Sequence, residues 1–163
     1  MKTLLIIRSA SMQQLDKNLV EIEKRFSDCE IHILTHEHSM KLVEKYKSIK
    51  QIYVYPYKGG FSAGNKVGEL RDKEFDAVLI PVTNITGAGF FNVLRFSLTL
   101  RAKQRFICNL ISDIWEVTPG EIRWMGIKNV LMSVASAILA GIAGIFVLLT
   151  LPWKLKQIEK KGE

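Results

Sequence analysis

Apolar residues recur with two different periods over the first 110 positions of the chain. Thr3–Arg8 (TLLIIR) is a short run rich in β-formers and predicts a buried strand. Met12, Leu15, Leu19, Ile22 and Phe26 then fall at the three-four spacing of one helix face, predicting a helix over Met12–Phe26. Glu30–Thr35 (EIHILT) predicts a second strand, Ser39–Ser48 a short helix, and Gln51–Tyr55 (QIYVY) a third strand stopped by Pro56. After the irregular loop YPYKGGFSAG, Asn65–Lys73 predicts a short polar helix and Asp76–Val82 a fourth strand. Ala88–Arg101 then predicts a very apolar helix and Arg105–Asn109 a fifth strand. Strands and helices alternating in this way imply right-handed crossovers and a mostly parallel sheet covered on both faces. The expected fold class is α/β, a Rossmann-like sheet of about five strands.

The rhythm breaks at residues 110–128, where Trp115, Pro119, Gly120 and Trp124 predict a juxtamembrane connector with interfacial aromatics. Val130–Leu151 follows as 22 residues without a charge. As a helix it would be about 33 Å long, close to the ~30 Å hydrocarbon core of a bilayer. Trp124 and Trp153 bracket it. The expected organisation is a domain over 1–110, a connector over 111–128, a membrane helix over 129–152 and a basic tail over 153–163. That helix either spans the membrane or is re-entrant, with a break near Gly141 and Gly144. Ser136, Ala140 and Gly144 fall at four-residue spacing, a small-residue face suited to packing another membrane helix, from a second copy or a different protein. The stretch LLII is too short for the apolar region of a signal sequence. The folded domain is therefore expected on the cytoplasmic side of the inner (cytoplasmic) membrane. Lys154, Lys156, Lys160 and Lys161 would also hold the tail in the cytoplasm, so the side of the tail stays open.

Charge sharpens this picture. The net charge of +7 divides into +5 for residues 1–128 (19 basic, 14 acidic) and +2 for the tail (four basic, two acidic). No acidic residue lies between Asp76 and Asp113, whereas Arg95, Arg101, Lys103 and Arg105 do. A basic zone ahead of an apolar span predicts membrane lipid as a partner, with these four residues, Trp124 and Trp153 as its contacts. There is no recognition motif or aromatic-basic platform for nucleic acid. Cys29 and Cys108 are too few for a disulfide framework and are expected as reduced core thiols.

In parallel sheets ligands bind in the loops that follow the carboxyl ends of the strands. Those loops begin here near Ser9–Met12, Thr35–Ser39, Pro56–Ser62, Thr83–Gly89 and Asn109–Asp113. RSASMQQ carries no glycine, which excludes a dinucleotide fingerprint. GGFSAGNK departs from a phosphate-binding P-loop because Asn65 intervenes before Lys66 and Val67 follows. No cofactor is expected. His36-Glu37-His38 offers metal-ligand types, but adjacent residues on one loop without a distant partner predict a solvated strand end and no metal site. The helix Phe90–Leu100 is apolar nearly all round. It either packs between the sheet and a neighbour or dips one side into the membrane interface, with arginines on lipid phosphates.

Five segments carry a family resemblance: LLIIRSAS (4–11), EKRFSDCEIHILT (23–35), IYVYPYKGG (52–60), LRDKEFDAVLI (70–80) and RAKQRFICN (101–109). Together, over residues 1–110, they resemble the N-terminal half of two-domain (GT-B) glycosyltransferases, nearest the lipopolysaccharide heptosyltransferases. The resemblance implies ligand contacts at Arg8, Ser9, Ser11, Gln14, Thr83 and Asn84, and work in cell-envelope glycan or glycolipid assembly. In that family the first loop reads Arg-x-Ser-x-x-Gly-Asp, and its aspartate is the candidate base. Here Gln13 and Gln14 stand in place of Gly-Asp, and an amide cannot take the proton. Asp16 is a poor substitute, since two residues along a helix turn it about 200° away. The family's sugar-nucleotide site lies in a second half, where this chain has its apolar helix. The expected role is a non-catalytic accessory or acceptor-lipid-binding subunit. Two alternatives stay open: a true glycosyltransferase whose donor half is another chain, with Asp16 or Asp113 as base, or a scaffold subunit of an unrelated membrane complex. A protein partner would dock through the membrane helix or the sheet edge.

Overall fold

Leu4, Leu5, Ile6 and Ile7 are all fully buried, as in a strand covered on both faces. Leu4 and Ile6 join the hydrophobic cluster on one face of the sheet, and Leu5 and Ile7 join the cluster on the other. The computed structural model describes residues 1–159, with the side chains of Leu149 and of residues 152–159 outside that description. In it, β1 (Lys2–Ile7) pairs in parallel with β2 (Cys29–His36) on one side and with β4 (Glu74–Pro81) on the other. β3 (Ile49–Tyr55) lies outside β2, and β5 (Arg101–Cys108) lies outside β4. β6 (Ile114–Glu116) closes that edge antiparallel to β5, giving the order β3-β2-β1-β4-β5-β6. The protein is thus α/β, with a six-stranded, mostly parallel sheet.

One face is covered by α1 (Met12–Arg25), whose Leu15, Leu19 and Ile22 are buried, and by the four-residue α2 (Met40–Val43) through Val43. The other face carries Val93, Leu94 and Phe96 of α3 (Phe91–Ser97) and Ile122 from the first turn of α4 (Pro119–Glu159). Cys29 and Cys108 are both free, and burial pushes the Cys108 thiol up to about 12.

Several elements differ from the sequence pattern. The helix expected over Asn65–Lys73 is a single 3-10 turn at Gly68–Leu70, and the apolar helix expected over Ala88–Arg101 shrinks to α3. Gly89, at φ +84, holds a left-handed turn immediately ahead of it. β5 starts four residues earlier than expected, so Arg101 and Lys103 stand on a strand and not at a helix end. The expected connector contributes β6, with Ile114 and Val117 buried, so the sheet domain runs to Arg123.

Arg105 was expected at the membrane; the structure corrects this. It is only 6% exposed, and its guanidinium donates to the carbonyls of Ser97, Leu100 and Ala102. It closes the carboxyl end of α3, where backbone carbonyls have no helical partner.

Asp76 ties β1 to β5. Its carboxylate accepts from Lys103 Nζ at 2.6 Å and from the Thr3 backbone N–H at 2.9 Å. These bonds, the Lys103 one foremost, hold its pKa below the ordinary carboxylate value. A depressed folded-state pKa gives stability that is complete above the unfolded value, near 3.9, and is lost as pH falls through the folded one. Asp76→Asn is therefore expected to flatten the stability curve below about pH 4. Parallel acid-unfolding curves of the two proteins would contradict this assignment.

The second unit begins at Trp124 and is described on its own. Its helix is unbroken through Gly141 and Gly144 and exposes apolar side chains on every side: Val130 is 63%, Ile138 58% and Leu148 75% exposed. Ser133 Oγ donates to the Asn129 carbonyl and Thr150 Oγ1 to that of Phe146, so both hydroxyls are satisfied within the helix. Over Pro119–Leu148 the helix is long and apolar enough to cross a membrane.

Candidate functional site

The strand order reverses between β1 and β4, and the crevice at such a point is where open α/β sheets bind ligands. β1 delivers Arg8 and Ser9 there. The Arg8 backbone N–H extends the ladder to the Leu34 carbonyl at 3.0 Å, and Ser9 Oγ donates across the crevice to the Pro81 carbonyl at the end of β4.

The Arg8 side chain is held on three sides. Nε donates to Thr35 Oγ1 at 2.7 Å, Nη2 to Ser39 Oγ at 2.8 Å and Nη1 to the Ala10 carbonyl at 3.2 Å. Thr35 and Ser39 are themselves buried. A guanidinium has five N–H donors, so two remain beyond these bonds. Among the described residues, no ion pair involves Arg8. Burial draws its pKa down, yet a guanidinium stays charged.

Arg8 and Ser9 line a cavity of about 300 Å³ together with His36, His38, Gly60 and Phe61. The loop after β3 forms one wall because Tyr55 pins it. The Tyr55 hydroxyl donates to the Gly60 carbonyl and accepts from the Ser62 N–H and from Asn65 Nδ2. His36 Nε2 donates to the Gly59 carbonyl at 3.0 Å, and its ring packs edge-on against Tyr55 and Phe61. A carbonyl can only accept, so Nε2 carries the proton and Nδ1 is the nitrogen left for a ligand. The His38 ring lies beside it, 5.5 Å between centroids. Among the described residues, no carboxylate lines this cavity.

The remaining expected site residues are dispersed. Ser11 caps α1 by accepting from the Gln14 N–H. Gln14 is buried, and its amide donates to Asn18 Oδ1 at 2.6 Å and to the Leu110 carbonyl at 3.1 Å. It is therefore no ligand contact: it forms the bed under the β5–β6 loop. Asn84 spends its side chain on its own loop, accepting from Gly87 N and donating to the Ala88 carbonyl, and Thr83 is exposed outside the cavity. Asp16 accepts from Tyr46 and pairs with Lys45, and Asp113 lines a separate cleft with Glu21 and Arg25. Arg95 is exposed, with its guanidinium near the Phe91 ring. Arg101 and Lys103 flank a cleft of mixed charge with Glu74 and Asp76 at the amino-terminal edge of the sheet, opposite the Arg8 cavity. Trp124 is 61% exposed, and Ser136, Ala140 and Gly144 are exposed along α4. The Trp153 side chain lies outside the described residues.

His36 and His38 are the site residues that sequence reasoning missed. Their sequence signal was the placement of a basic pair directly after a strand; what it lacked was the loop that turns that strand end into a cavity wall. Among the described residues, no three metal-ligating side chains converge. No family model, curated protein or solved structure matches the chain. The cavity wall combines a fixed cation without an ion-pair partner among the described residues, two imidazoles and an apolar side.

Proposed function

We propose that the chain is a membrane-anchored, glycosyltransferase-like half-domain that serves envelope glycan or glycolipid assembly by holding a ligand, without transferring sugar itself. The observation that carries this reading is the Arg8 cavity: it sits at the carboxyl ends of β1 and β2, beside the point of strand-order reversal, it is cationic, and no carboxylate among the described residues lines it. The position that holds the base in the resembling family is Gln14 here, buried and bonded away from the cavity. The order β3-β2-β1-β4-β5 is that of a Rossmann-like half-domain, which supports the motif resemblance over residues 1–110. An apolar helix exposed on every side supports a transmembrane anchor. Arg101 is exposed and supports a contact with anionic headgroups, in which Lys103, paired with Asp76, takes a lesser part. The stripe Ser136, Ala140, Gly144 supports packing against a partner helix.

A catalytic role on the family's pattern would need a carboxylate base in the cavity, and neither Asp16 nor Asp113 lines it. The test uses the purified full chain in detergent, a panel of sugar nucleotides and a polyprenyl phosphate acceptor. The expected result is no transfer. Turnover by the chain alone would overturn the accessory role and make an imidazole, His36 or His38, the base to examine.

A further inference from the structure

We propose that the Arg8 cavity recognises a phosphate group, with Arg8 as its anchor and His38 as its flanking donor. The proposal deepens the preceding reading, because it takes this cavity as the ligand site and names the chemistry of what enters.

A half-buried cation without a carboxylate partner, such as Arg8, is costly to keep unless something else neutralises it. Thr35 and Ser39 fix its Nε and Nη2 from behind, so the guanidinium is set in one orientation before any ligand arrives. Such preorganisation lowers the entropy lost on binding. The two remaining N–H donors suit a bidentate oxyanion.

The flanking groups favour phosphate over a carboxylate. A phosphate monoester carries close to two charges at neutral pH and three acceptor oxygens. The two free N–H groups of Arg8 and one ring N–H of His38 match that count. His36, with its Nε2–H committed to Gly59, presents Nδ1 only as an acceptor, for the hydroxyl of a protonated phosphate; the His38 side chain makes no hydrogen bond among the described residues. Ser9 is not among the donors, since its hydroxyl proton goes to Pro81. No lining carboxylate repels the anion, and Phe61 and Val93 keep part of the wall dry, where charge-assisted bonds strengthen. At about 300 Å³ the cavity is at the small end for ligand sites, room for a phosphate and a small attached group and not for a dinucleotide.

The phosphate could belong to a soluble ester or to a lipid headgroup, and two arms separate these sources. In the first, inorganic phosphate is titrated calorimetrically into the full chain in phosphatidylcholine nanodiscs. In the second, the detergent-solubilised chain is equilibrated with mixed phosphatidylcholine and phosphatidic acid micelles, and retained lipid is quantified by mass. The proposal expects saturable binding in at least one arm, weakened about tenfold or more by Arg8→Gln and about threefold by His38→Gln. Phosphate binding alone assigns a soluble ester; Arg8-dependent enrichment of phosphatidic acid alone assigns a headgroup. Arg8→Gln also loosens Thr35 and Ser39, so exposed His38, which holds nothing else in place, keeps the test decisive if that variant unfolds. No saturable binding in either arm, or binding unchanged by His38→Gln and by a folded Arg8→Gln, would overturn the proposal. Either failure would leave the anchored accessory role standing, because sugar transfer and co-purifying partners decide that role separately.

Discussion

Replacing Arg105 with Gln is expected to destabilise the sheet domain by about 3 kcal/mol. The arginine is 6% exposed and serves three carbonyls at once: Ser97 from Nε and Nη2, Leu100 at 2.9 Å and Ala102 at 3.2 Å. Those carbonyls belong to the end of α3, the turn that follows and the start of β5, and the bonds to Ser97 and Leu100 are buried, where water does not replace the lost donors. An unpartnered buried acceptor costs about 1–3 kcal/mol, and a glutamine amide can serve one of the three at most. Lysine, with one compact ammonium, is expected to recover only part of the loss. For a domain of this size the melting temperature should fall by roughly 10 °C, followed by near-UV circular dichroism, which the long helix does not dominate. A fall of only a degree or two would mean that α3 ends without help from Arg105.

That residue also marks where the sequence could be read and where it could not. The first four strands in the chain announce themselves through their apolar residues, as in TLLIIR and DAVLIPV. β5 is legible only over its apolar second half from Arg105, since its first four residues (RAKQ) are polar and read as the tail of a helix. β6 is three residues long, too short for any alternation to register. Arg105 itself counts as surface charge in any tally by composition. Only the strand register, which sets it beside the end of α3, makes it an internal cap.

The site divides the same way. Arg8 and Ser9 follow from a loop position that every parallel sheet shares. Gln14 stands out in the sequence as a departure from the pattern the chain resembles, but its neighbours Asn18 and Leu110 could not be read from spacing, and they remove it from the cavity. His36 and His38 became legible only once Tyr55 was seen to fold the Gly59–Asn65 loop against them.

The second large effect concerns the apolar helix. Leu139→Arg combined with Ile142→Arg is expected to release the protein from membranes. Both side chains are exposed near the middle of the uncharged run, at 66% and 59%. Each arginine costs about 2.5–3.5 kcal/mol at the centre of a membrane helix, so the pair opposes insertion by roughly 5–7 kcal/mol. The unmodified chain should stay in the pellet after alkaline carbonate extraction, and the double variant should move to the supernatant with its sheet domain folded. Retention of the double variant in the pellet would mean that something other than this helix holds the protein there. Release of the unmodified chain would mean that the helix is covered by a protein partner and not by lipid.

The central claim, an anchored half-domain that assists glycan or glycolipid assembly, is tested most directly by gentle detergent extraction of the tagged full chain, with mass spectrometry of the proteins and lipids that accompany it. The account predicts a stoichiometric glycosyltransferase or a polyprenyl-linked lipid. A stoichiometric membrane complex with no enzyme or lipid of glycan synthesis would contradict it, and would place the function in the helix and its partner surface.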